Sequence, residues 1–107
     1  MTANQQIAQT ILQQLGGRRF TAMTGARDLL AIDKGLQMKL PANFAKDGIN
    51  CVRITLEPSD TYRVEFGRIA RRKGVPEYNV KTTREGIYCD GLAATFRAAT
   101  GLSTRLF

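Results

Sequence analysis

INCVRITLEPSDTYRVEFGRI, residues 49–69, alternates apolar and polar side chains through two runs separated by a turn. In the first run Val52, Ile54 and Leu56 fall on one side, and Cys51, Arg53 and Thr55 on the other. In the second, Tyr62, Val64 and Phe66 share a side, with Arg63 and Glu65 opposite. A period of two is the signature of strands with one buried face, and Pro58, Ser59 and Asp60 supply a turn between them. The pair predicts an antiparallel hairpin, and the rest of the chain is read outward from it.

Toward the N-terminus, GLQMKL puts Leu36, Met38 and Leu40 on one face and Gln37 and Lys39 on the other; Pro41, which has no ladder donor, ends it. Asp33, Lys34 and Gly35 form a turn after a short run DLLAI at 28–32. A further strand is expected at RRFTAMT, residues 18–24, with the placement of 18–32 the least determined. Before it, Ile7, Ala8, Ile11, Leu12 and Leu15 recur at helical spacing. Thr2 and Gln5 fit a capping box, and Gly16 with Gly17 supplies a stop. Toward the C-terminus, EYNVKTT is read as a strand with Tyr78 and Val80 inward and Asn79 and Lys81 outward. Helical spacing then returns with Leu92, Ala93, Phe96 and Ala99; Asp90 lies near the start, and Gly101 with Leu102 fits a Schellman ending. The tail that carries Leu106 and Phe107 is read as free or docked.

An antiparallel sheet with one apolar face needs a cover, and amphipathic helices at the two chain ends supply it. The expected fold is therefore α+β: one domain over 1–107, an antiparallel meander of about five strands with an N-terminal and a C-terminal helix on one face. Lys39, Arg53, Arg63 and Lys81 are expected on the open face, with Glu65 among them.

Sixteen Lys and Arg against nine Asp and Glu give a formal charge of +7. That balance suits a polyanionic partner through counterion release, and it also favours solubility. No histidine is present, and Cys51 and Cys89 lack CxxC spacing, so a structural zinc site is not expected. Neither a phosphate-cradling glycine motif nor carboxylates at a diagnostic spacing occur. Glu57 with Asp60, and Glu65 with Glu77, read as turn and surface charges, and the expectation is a non-enzyme without cofactor. No apolar run reaches the roughly 20 residues of a membrane span. No secretory leader pattern opens the chain, and a reduced, cytoplasmic setting is expected. Cys51 shares a side with Arg53 and is read as partly exposed and inert; Cys89 lies at the start of the last helix, where Asp90 opposes thiolate formation.

The sharpest feature is FGRIARRKGVPEY, residues 66–78, read as a basic hairpin loop. Arg68, Arg71, Arg72 and Lys73 would form phosphate contacts at its tip, extended by Arg63 and Lys81 on the adjoining strands. The aromatics Tyr62, Phe66 and Tyr78 all take core parity in this reading, which leaves no stacking platform for single-stranded bases. Two functions follow: a DNA- or RNA-backbone-binding accessory protein, or a module that docks on or inhibits a host protein.

TAMTGA, MKLP, INCVRITL, YRVEF and GIYCDGLAATFRAATGL together resemble a family of small uncharacterised proteins encoded by bacteriophages and mobile genetic elements. The likeness runs over nearly the whole chain. It implies the helix-sheet-helix order and a phage or mobile-element setting, and it brings no activity or catalytic residue. RIARRKGVPEY is more basic than the turn the family has at that place.

Overall fold

The computed structural model describes residues 2–41 and 45–102. Leu106 and Phe107 lie outside them. Five strands, β1 (Arg27–Ile32), β2 (Gly35–Lys39), β3 (Cys51–Leu56), β4 (Tyr62–Arg72) and β5 (Val75–Ile87), form one antiparallel sheet in sequence order. Helices α1 (Ala3–Leu15), α2 (Arg18–Thr24) and α3 (Leu92–Thr100) complete an α+β fold with helices at both chain ends. No helix among the described residues is long and apolar enough to cross a membrane.

The hairpin at 49–69 forms with the expected faces, and its register sets Val52 opposite Phe66 and Ile54 opposite Val64. These residues are buried together with Leu36, Met38, Ile11, Leu15, Leu92 and Phe96 in one core between sheet and helices. At α1 the capping box is present: the Gln5 N–H donates to Thr2 Oγ1 (3.1 Å), and the Thr2 N–H donates to Gln5 Oε1 (3.0 Å). Gly16 and Gly17 close α1 as a Schellman motif, their N–H groups donating to Gln13 and Leu12 carbonyls respectively.

Residues 18–24 are not a strand. They form α2, which follows α1 directly, so the element order is α-α-β-β-β-β-β-α. Phe20 on α2 is fully buried and meets Phe96 on α3 edge to face, ring centroids 4.8 Å apart. A helix turns Phe20 inward where a strand in the sheet would have had to displace β1. The ends of α2 and α3 are built alike. Thr24 and Thr100 are buried, and each hydroxyl donates to the carbonyl four residues back (Phe20, Phe96; 2.7 Å). Each also accepts the N–H two residues on (Ala26, Leu102; 3.2 Å). Gly25 and Gly101 follow in the left-handed conformation, φ 73° in both. The α3 ending is thus a single left-handed cap rather than a Schellman motif, because the Thr100 hydroxyl takes the Leu102 N–H that would have closed the second bond.

Candidate nucleic-acid interface

β4 and β5 outrun the rest of the sheet. The last β3–β4 pair is Cys51 with Gly67, while β4–β5 pairing continues to Arg72 with Val75. Asn50 closes the third strand at that point: its Nδ2 donates to the Ile69 carbonyl (2.9 Å), and the Ile69 N–H donates to its Oδ1 (2.7 Å). A side chain thereby stands in for one more step of backbone ladder. Beyond it the hairpin is a two-stranded ribbon, with Ala70 opposite Glu77 and Arg71 opposite Pro76. Lys73 (φ 54°) and Gly74 (φ 79°) make the two-residue turn at its end. Positive φ at both centres is the type I′ geometry that matches strand twist.

The basic segment is therefore strand and not a loop: Arg68, Arg71 and Arg72 belong to β4, and of the tip cations only Lys73 lies in the turn. The six proposed phosphate contacts also separate. Arg63 lies 3.4 Å from Glu65 Oε1 and 3.4 Å from Glu85 Oε1, so its charge is balanced within the sheet. Arg68 is half-buried, and its Nη1 donates to the Gly48 carbonyl (3.2 Å). Among the described residues no ion pair engages Arg71, Lys73 or Lys81, all of which are exposed. Arg71, Arg72 and Lys73 thus gather at the ribbon's end, with Lys81 lower on β5.

Lys81 marks a break in register. Phe66 pairs with Thr82 but Gly67 pairs with Val80, which leaves one extra residue in β5. This bulge reverses the expected parity of the strand beyond it. Val80 is half-exposed, and Tyr78, expected in the core, lies on the opposite, open face of the sheet. Its ring crosses Gly67, where a Cβ would overlap Cε1 of Tyr78 and sit 2.7 Å from the Asn79 carbonyl. Arg53 lies against the same ring, its Cζ 4.3 Å from the centroid, while its Nε donates to Gln37 Oε1 (2.8 Å). Burial, then the nearby Cys51 and Glu65, push the Tyr78 hydroxyl up to about 12, with Arg53 opposing.

This cover explains a second departure. Cys51, expected to be partly exposed, is fully buried on the open face, and burial pushes its thiol up despite Arg53 and Lys39. An activated nucleophile there has no physical support. Cys89 is exposed, in the short 3₁₀ turn Cys89–Gly91 ahead of α3. Replacing Gly67 with alanine is expected to expel the Tyr78 ring and uncover Cys51. Titration of the folded protein with a thiol reagent should then find a second fast thiol besides Cys89, with a loss of about 1–3 kcal/mol in stability. Persistence of a single fast thiol in the variant would show that Tyr78 is not the cover.

Of the carboxylates singled out in the sequence, Glu65 and Glu77 stand apart: Glu65 is in the sheet opposite Thr83, and Glu77 lies on the ribbon opposite Ala70, about five strand residues or roughly 16 Å further along. No group of three or more metal-ligating side chains occurs among the described residues. A groove of about 500 Å³ runs between α1 and β1, lined by Ala8, Leu12, Leu29, Leu30 and Leu36 with Gln5 and Gln9.

Fold and site together define a helix-covered antiparallel meander from which a basic two-stranded ribbon projects. Compared with models of protein families, with curated proteins and with solved structures, the chain finds no match in any of the three.

Proposed function

We propose that the protein is a non-enzymatic DNA-binding accessory of a phage or mobile element, gripping the backbone of duplex DNA with the β4–β5 ribbon. The observation that carries this reading is the concentration of Arg71, Arg72 and Lys73 on a ribbon that no other strand among the described residues flanks, while Arg63 and Arg68 are engaged by partners within the protein. A two-stranded ribbon fits the major groove of B-form DNA, about 12 Å wide, where its side chains reach phosphates on both walls. The deep, narrow major groove of A-form RNA does not admit it, so duplex DNA is favoured over duplex RNA.

The test is fluorescence anisotropy of labelled duplexes with the native protein at different salt concentrations. About four phosphate contacts, from Arg71, Arg72, Lys73 and Lys81, give a slope of log K against log salt near −3.6, or about 100-fold weaker binding at 200 mM than at 50 mM. Absence of duplex binding at the lower salt would overturn the reading and move attention to a protein partner, with the α1–β1 groove as the surface to probe.

A further inference from the structure

Val75 is left unexplained by the fold. It is 61% exposed, lies directly after the ribbon's turn, and belongs to no part of the core. Its conformational choices are nevertheless few. The type I′ turn at Lys73 and Gly74 fixes the residue before it, Pro76 after it holds the backbone extended, and a β-branched side chain has few rotamers to lose. A pre-ordered apolar group surrendering little entropy on docking is suited to contact, and this one stands cross-strand from Arg72 at the most basic point of the molecule. The charge around it selects the partner: Val75 follows the Lys73 turn and pairs with Arg72, with Glu77 next on its face and Arg71 on the other face of the ribbon, and an apolar spot on so basic a tip needs a surface that offers phosphates and a hydrophobic group within one side chain's reach. In the major groove the 5-methyl group of thymine is that group.

We propose that Val75 is a base-reading residue, its methyl groups meeting thymine 5-methyls on the major-groove floor while the neighbouring cations hold the phosphates. The inference rests on the duplex-binding reading above and deepens it: the protein prefers duplexes with thymine at the ribbon's position over otherwise identical ones without its methyl group.

Deoxyuridine in place of thymidine removes that methyl and leaves base pairing and backbone charge unchanged. Anisotropy titrations of T-containing and U-containing duplexes of otherwise identical sequence would be run with native protein, Val75→Ser and Val75→Ile. Native protein and V75I are expected to bind the U duplex about 4-fold more weakly for each thymine methyl removed from the ribbon's reach, and V75S to bind the two alike with an unchanged salt slope. Salt-dependent binding that ignores the methyl, or discrimination that survives in V75S, would overturn the role of Val75 and leave the phosphate grip standing. Failure of the native protein to bind any duplex would overturn both.

Discussion

The variant Arg71→Gln, Arg72→Gln, Lys73→Asn is expected to lose on the order of 100-fold in duplex affinity at about 50 mM salt, and its salt slope to fall by about 2.7. Each cation that neutralises a phosphate releases about 0.9 of a counterion, so three fewer phosphate partners remove both affinity and salt sensitivity, and the change in slope counts them. The substitutions spare the fold. Among the described residues, the strand pairing of 70–77 is within the hairpin itself, and asparagine tolerates the left-handed backbone of Lys73 and with Gly74 makes the preferred dipeptide of a type I′ turn. Unfolding temperature should therefore stay near that of the native protein. Arg63→Gln is the matched control. Its guanidinium faces Glu65 and Glu85 and stands about ten strand residues, roughly 33 Å, from Lys73, further than charge is felt through about 50 mM salt, so affinity should change by less than about 3-fold. Equal losses per charge removed in the two variants would mean that binding follows net charge alone, and no loss in the triple variant would remove the ribbon from the interface.

How far the sequence can be read depends on whether a face is buried. Val52, Ile54, Val64 and Phe66 alternate because one side of β3 and β4 packs on helices, and that hairpin forms with the buried face read from it. The ribbon past Ile69 has no such side, so no periodicity marks it, and Gly74 and Pro76 make a strand look like a loop. The face of Tyr78 depends on one extra residue near Lys81, which composition does not reveal and which inverts every position beyond it. Arg63 meets Glu85 as well as nearby Glu65, and Arg68 meets Gly48; Glu85 and Gly48 are far along the chain, so the loss of two cations from the patch is largely a tertiary fact. The helix at 18–24 is different, because a signal for it is present. Phe20, Ala22, Thr24 and Gly25 recur at the same spacing as Phe96, Ala98, Thr100 and Gly101, and the second set reads as a helix end. The double glycine before Arg18 suggests a change to sheet, whereas it only turns the chain from one helix to the next.

Phe96→Ala is expected to cost about 3–5 kcal/mol, a large part of the roughly 5–15 kcal/mol that holds a domain of this size, and to lower the unfolding temperature by about 12–20 °C. The ring is fully buried where three elements meet. It lies edge to face with Phe20 of α2 at 4.8 Å and tilted against Phe66 of β4 at 6.2 Å. Removing it leaves a cavity that neither helix can close without drawing its Thr-Gly cap out of place. Phe20→Ala should cost a similar amount, and the two losses should not add. Because each ring is the other's neighbour, the double variant is expected to be about 0.5–1.5 kcal/mol more stable than the sum of the single effects predicts. Urea unfolding of the four proteins measures that coupling. Strict additivity would mean that the rings do not touch, as they would not if residues 18–24 lay in the sheet, and the assignment of α2 would fail with it. Coupling of the expected size ties α2 to α3 across the core, on the face of the sheet opposite the one that Tyr78 and Arg53 share.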